Sequence, residues 1–255
     1  MINFAGSGAP ITQPGLDLAA TTAGIDPLVL WTVIAVETSG SGFLADRRPK
    51  ILFERHFFHR LTGGRFDARA PELSQPTAGG YGAGGAHQYD RLVAALALNE
   101  DAALRSASWG LGQIMGDNCR ASGYATAAQM AEAFVAAEDA QLLGMARFIA
   151  ASGMTAALTA LNWAGFAKRY NGPGYAKNSY DEKLRAQHQR LTAIGPPDLR
   201  LRAVQAYLTY RGIDPGGVDG RLGARTTAAV KAFQTSAGRP ATGAIDDDLL
   251  SELAG

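Results

Sequence analysis

An apolar run, Leu28-Val-Leu-Trp-Thr-Val-Ile-Ala-Val36, is closed by Glu37 and followed at once by Thr38-Ser39-Gly40-Ser41-Gly42-Phe43. Leu30, Val33 and Ile34 recur at helical spacing, which predicts a helix over 26–37. Asp26 supplies an N-cap and Pro27 sits at the first helical position, where a missing N–H costs nothing. The same periodicity predicts helices near 87–98, 100–107, 126–136, 138–151, 154–161 and 179–193. Asn99 and Thr126 read as caps, Gly123 and Gly153 as stops. Strand signals are scarce; the short apolar Ile51-Leu52-Phe53 allows a small β-hairpin near 47–58. The segment 62–86, with Gly79-Gly80-Tyr81-Gly82-Ala83-Gly84-Gly85, reads as a loop along a cleft edge. The pattern predicts an all-α fold with at most one small β-hairpin.

Gly195-Pro196-Pro197-Asp198 breaks this pattern, because proline cannot continue the preceding helix. A boundary there divides the chain into 1–195 and 196–255. The second part carries amphipathic helices near 199–211 and 223–237 and a short one near 246–253 capped by Asp246, a separate three-helix bundle. A chain of 255 residues that is 47% hydrophobic can fill one good core and a smaller second one. Net charge is +1, so no bulk field favours nucleic acid or an anionic membrane as partner. A single cysteine excludes an internal disulfide framework. Met1-Ile-Asn-Phe-Ala-Gly-Ser-Gly8 lacks the basic and apolar regions of a signal peptide, and no apolar stretch reaches the roughly 20 residues of a membrane span. The expectation is a monomer without a membrane anchor, made in a cytoplasm and released by other means.

The chemistry begins at Glu37. A carboxyl at the end of a buried helix is held toward its neutral form by burial and by the partial negative charge of the helix C-terminus. Such a group can donate a proton to a leaving oxygen. Ser108-Trp109-Gly110-Leu111-Gly112-Gln113-Ile114-Met115-Gly116 offers a flat apolar face at Trp109 and an amide at Gln113, which suits a sugar ring. Leu161-Asn162-Trp163 and Arg169-Tyr170-Asn171-Gly172-Pro173-Gly174-Tyr175 add aromatic and amide groups of the same kind. Each string alone is equally readable as a packed aromatic beside a turn.

Together, the helix ending in Glu37-Thr-Ser-Gly40, the Trp109-Gly-Leu-Gly-Gln113-Ile-Met115 string and Tyr170-Asn171-Gly172 resemble the lysozyme superfamily, in particular its goose-type and transglycosylase-like branches. Arg48-Pro-Lys-Ile-Leu-Phe-Glu54-Arg-His-Phe-Phe-His59 is similar to the N-acetylmuramidase family of phage endolysins. The resemblance covers about 20–193 and implies a lysozyme-like catalytic domain that cleaves the β-1,4 bond after N-acetylmuramic acid. It implies Glu37 as the acid and matches Glu54 to the acidic residue of the family's Phe-Glu-Arg-His segment; Thr38 stands where that family often has Ser. Ser108, Trp109, Gln113, Asn162, Tyr170 and Asn171 are then expected to line the glycan groove. The string from Leu201 to Asp246, with Val204-Gln205, Leu208, Asp219-Gly220, Gly223, Thr226, Ala229-Val230, Phe233-Gln234 and Thr242-Gly243, resembles a peptidoglycan-binding module of three helices. Leu201, Val204, Leu208, Val230 and Phe233 read as its core; Gln205, Gln234 and the Asp219–Arg225 loop are candidates for wall contact. The partner implied is bacterial peptidoglycan, and the setting is phage lysis: host cytoplasm until holin-dependent release, then the wall. A module that only tethers the enzyme would leave turnover of soluble fragments intact when deleted.

Glycoside hydrolysis usually uses a second carboxylate to activate water or stabilise the cation. Glu54, 54 − 37 = 17 positions on, fills that role or forms a structural ion pair with Arg47, Arg48 or Arg55; Asp46 is the reserve. A distant pair leaves room for water and gives inversion, a close pair gives retention; the goose-type resemblance implies inversion. A lytic transglycosylase, which needs one acid/base glutamate and yields 1,6-anhydro ends, and a non-catalytic wall-binding protein stay open. His56, His59 and His87 match no strong zinc spacing, Cys119 lacks the surroundings of a nucleophile, and no metal or cofactor is expected.

Overall fold

The computed structural model describes residues 4–172 and 174–255. Its centre is α2 (Pro27–Thr38), whose residues Val29 to Ile34 are all buried. Asp26 caps it by accepting from the Leu28 N–H at 2.7 Å, as its sequence predicts. Before it lies α1 (Gln13–Ala23), which the periodicity did not predict. Its inward face is Leu16, Ala19, Ala20 and Ala23, mostly alanine, and so carries little hydrophobic contrast. Gly15, where a Cβ would stand 2.1 Å from Asp139 Oδ1, and Thr12, which donates to Asp139, let it lie close against α7 (Glu138–Ala151).

Five further helices build the rest of the first core: α3 (Arg55–Thr62), α4 (His87–Leu96), α5 (Glu100–Arg105), α6 (Ala127–Ala136) and α8 (Thr155–Thr159). Two more, α9 (Trp163–Tyr170) and α10 (Tyr180–Ile194), close it, and α10 packs along α2. Asn99 and Thr126 cap α5 and α6 through the Ala102 and Gln129 N–H groups. The segment between α3 and α4 is turns and irregular chain, as its Gly and Pro content predicts.

The expected hairpin at 47–58 does not form. Strand β1 (Ile51–Phe53) instead pairs antiparallel with β2 (Ala107–Trp109), Leu52 opposite Ser108, and β2 pairs with β3 (Ile114–Met115). Glu54 occupies the N-cap position of α3, so the chain turns into a helix before a return strand can start. The glycine-rich Gly110-Leu-Gly-Gln113 string is the β2–β3 turn, with Gly110 at φ 66° and Gln113 at φ 46°.

Residues 199–255 form three helices, α11 (Leu199–Tyr210), α12 (Ala224–Ser236) and α13 (Asp247–Ala254), around Val204, Leu208, Val230, Phe233, Leu249 and Leu253. Asp198 and Asp246 cap α11 and α13. Gln205 and Gln234 are buried and correct the expectation that they touch the wall. Gln205 donates to Asp219 and Thr226 and accepts the Gly220 N–H at 2.8 Å. Gln234 donates to the Ala244 carbonyl and accepts the Gly243 N–H at 2.8 Å. Each glutamine pins one loop, so both are staples of the fold.

Among the described residues no single helix is long and apolar enough to cross a membrane; α1 and α2 pass such a test only together, and they meet at 100°. The β2–β3 turn depends on one side chain of α7. Gln141, fully buried, accepts the Leu111 N–H at 2.9 Å and donates to the Phe134 carbonyl at 2.8 Å. Gln141→Leu keeps the bulk and strands both backbone groups. It is expected to cost about 2–4 kcal/mol in urea unfolding; a loss within experimental error would show that the turn does not need this staple.

Candidate active site

A cleft of about 670 Å³ runs between the last turn of α2, the sheet, the start of α3 and the end of α9. Its walls include Glu37, Leu52, Glu54, His56, Phe57, Ser108, Gln113, Met115, Asn118, Arg169, Tyr170 and Asn171. A second hollow, about 810 Å³, lies elsewhere beside Asp17, Thr21, Asp26, Leu161 and His188. The first cleft brings together two carboxyls from separate elements, and both are displaced upward.

Glu37 is the penultimate residue of α2 and reaches solvent only in part. Burial pushes its pKa up from 4.5 to about 7, and the hydrogen bond donated by the Tyr180 hydroxyl pulls it partly back. Tyr180 opens α10 and is itself hydrogen-bonded to Asn171. Burial, then the neighbouring Glu37 charge, drives Tyr180's own ionisation far up, so its hydroxyl stays a donor. Nothing in the sequence marks Tyr180: it is a tyrosine at a helix start, and its contact spans 143 positions.

Glu54 sits between β1 and α3, and its N–H donates to the Ser106 carbonyl at 2.8 Å. Burial raises its pKa as well, while His56, the Tyr81 hydroxyl and Arg91 oppose the rise. His56 Nδ1 lies 3.0 Å from Glu54 Oε2, without hydrogen-bond alignment. The alternative for Glu54, an ion pair with Arg47, Arg48 or Arg55, does not form. Arg48 pairs with Asp46 at 2.7 Å and lies over the Tyr89 ring; Arg47 lies over Tyr210; the Arg55 guanidinium faces Gly80. Asp46, the reserve carboxylate, is thereby occupied on a different surface, and its pKa stays below the ordinary value although burial, its largest single influence, pushes upward.

Ser108, Gln113, Tyr170 and Asn171 face this cleft; Trp109 and Asn162 do not. Trp109 has no exposed surface: it alternates inward on β2, packs on Phe4 and donates through Nε1 to the Leu104 carbonyl at 3.1 Å. The flat apolar face expected for a sugar is spent on the core. Asn162 caps α9 by accepting from the Gly165 N–H at 3.0 Å. Ser108 donates to Gln113 at 2.9 Å, and Gln113 donates to the Gly110 carbonyl at 2.9 Å, so their amide and hydroxyl shape the cleft floor. Tyr170 packs on Phe148 and Phe166 and donates to the Gly112 carbonyl at 2.6 Å. The expected rigid loop after it includes Pro173, which lies outside the described residues. Phe57, Met115 and Asn118, which sequence reasoning passed over, supply apolar surface and an amide on the same walls. Among the described residues, no group of three His, Cys, Asp or Glu side chains could hold a metal ion; His59 pairs with Asp67 at 2.8 Å, and Cys119 is buried.

A family profile described as N-acetylmuramidase matches residues 26–192, and one described as a putative peptidoglycan binding domain matches 198–253. The crystal structure of Burkholderia AP3 phage endolysin is similar to this chain at 39% identity and a TM-score of 0.65, over 72% of this chain and 71% of that one. No curated protein matches.

Tyr180 supplies the hydrogen bond that favours ionised Glu37. Its removal in Tyr180→Phe is expected to raise the Glu37 pKa above about 7. Turnover that needs protonated Glu37 then persists to higher pH, and the alkaline limb of the pH–activity profile moves upward. A limb that stays or moves downward would show that this bond does not control the proton.

Proposed function

The chain belongs to the N-acetylmuramidase family and is a peptidoglycan hydrolase, and from that premise we propose how its residues divide the work. Residues 1–195 are the catalytic domain and 196–255 the wall-binding domain. Glu37 is the general acid. In its neutral form it hands a proton to the glycosidic oxygen as the bond from muramic acid C1 breaks, leaving N-acetylglucosamine with a free hydroxyl. Glu54, ionised and beside His56 and Tyr81, takes a proton from the water that adds to C1, so the new muramic end is reducing. Ser108, Gln113, Tyr170 and Asn171 form the groove around the bond; Trp109 lies one layer behind it, and Asn162 is a cap of α9 with no place in it.

The single observation that supports this reading is the pair of raised carboxyls in one cleft, with Glu37 displaced to about 7. Two carboxyls with different environments on one cleft suit an acid and a base better than two acids. Inversion is the outcome that the goose-type resemblance favours. A phage setting is supported by the endolysin similarity. In that setting the enzyme waits in the host cytoplasm as a monomer, passes holin lesions and acts on the wall.

The roles make a bell-shaped pH profile. Activity falls as pH rises through about 7, where Glu37 ionises, and falls on the acid side as Glu54 takes up a proton. Glu37→Gln is expected to fold and lose about 10³-fold in kcat, and Glu54→Gln about 10²-fold. Mass spectrometry of the released muropeptides is expected to show reducing muramic acid ends. Anhydro ends would make the enzyme a transglycosylase with Glu37 as sole acid/base, and turnover by Glu37→Gln within a few-fold of the parent would end the assignment.

A further inference from the structure

Arg202 has no exposed surface, yet it belongs to the C-terminal module. It lies at the start of α11 and points across the boundary into the turn that leaves the Glu37 helix. Its Nε donates to the Gly40 carbonyl at 2.9 Å, and its Nη2 donates to the same oxygen. Its other hydrogen-bond partner is Glu138 at the start of α7, through Nη1 and through Nη2 at 2.8 Å, and its guanidinium lies over the Trp31 ring, 5.6 Å from the centroid. Glu138 is equally buried and accepts the Gly42 N–H at 2.8 Å and the Ile11 N–H at 3.1 Å.

The turn is held from other sides as well. Lys50 Nζ donates to the Thr38 carbonyl at 2.9 Å, and the Lys50 N–H to the Gly42 carbonyl at 2.7 Å. Gly40 has φ 93°, and a Cβ there would stand 2.7 Å from the Val218 carbonyl of the module. Two cations, Lys50 and Arg202, thus cap the negative end of α2, and the module approaches the turn too closely for any residue but glycine.

A buried ion pair is a poor source of stability, since desolvation consumes most of its attraction. What it fixes well is geometry. Here the geometry is that of a carbonyl three positions beyond Glu37. We propose that Arg202, with Glu138, is a positioning pair through which the docked module holds the Glu37 turn in its catalytic arrangement. The inference rests on Glu37 as the acid. The module is then part of the catalytic machinery as well as its tether, and the expectation that turnover of soluble fragments survives without it is reversed.

The test uses the full chain. Arg202→Met with Glu138→Gln removes both charges at once, so no buried ion is orphaned, and Gln still accepts one N–H. Folding is read by circular dichroism, wall binding by sedimentation with sacculi, and kcat, KM and the pH profile on soluble uncross-linked glycan strands. Tyr180 and Tyr170 face Glu37 from α10 and α9; Lys50, Arg47, Tyr207 and Tyr210 surround the pair. The double change is neutral in net charge, so movement of the limb reports access of water to Glu37. Expected are unchanged sacculus binding, KM within about threefold, kcat lower by about tenfold or more, and an alkaline limb moved to lower pH as Glu37 becomes hydrated. A folded double variant with parental kcat and limb overturns the proposal. If it does not fold, Arg202→Lys decides by the same readings, since it keeps the charge and loses the two-pronged grip on Gly40. Glu37→Gln, run alongside, separates the two failures: activity in that variant sinks the acid assignment, whereas its inactivity beside a normal double variant sinks only the positioning role.

Discussion

The arrangement depends on the cost of placing one carboxyl at the end of a buried helix. Six consecutive side chains of α2, Val29 to Ile34, are enclosed by the core, and the helix carries Glu37 out to the cleft wall with little water around it. Neutrality is the cheap state there, and protonation near pH 7 follows from packing more than from any charged partner. Tyr180 tempers the effect and fixes the carboxyl's direction. On the other side of the helix end Lys50 and Arg202 donate to the Thr38 and Gly40 carbonyls and Glu138 accepts the Gly42 N–H, and together they set the path of the turn.

Glu54 meets a different environment on the facing wall. It has lost water too, but His56, Tyr81 and Arg91 all favour its charge. The two carboxyls therefore suit different halves of one reaction, one holding a proton and one accepting it. The sheet makes this juxtaposition possible. Pairing Leu52 with Ser108 brings the start of α3 against the β2–β3 turn and so places Glu54 beside Ser108 and Gln113.

Local chemistry was legible in the sequence, and long-range partnership was not. The Asp26 and Pro27 start of α2, the Asn99 and Thr126 caps and the three helices of the module lie where their residues predict, because each is set by neighbours a few positions away. Helix α1 was missed because alanine gives its buried face no contrast. The hairpin at 47–58 was wrong because a three-residue apolar run says that a strand exists and not which strand it joins. Trp109 illustrates a deeper limit: strand alternation decides which way it faces, and Phe4 and Leu104, its partners, are remote from any sugar-binding pattern. The Arg202–Glu138 contact looks in the sequence like two ordinary surface charges, and only docking of the module makes them one buried unit.

The central claim is that Glu37 holds its proton near neutral pH. Carbon-13 NMR of side-chain-labelled glutamate in the full chain, with Glu37 assigned by comparison with Glu37→Gln, measures that directly. The account predicts a carboxyl resonance that titrates with a midpoint of about 7. A midpoint at the ordinary value of 4.5 would mean that the group is ionised when the enzyme works, and the assignment of Glu37 as proton donor would fail.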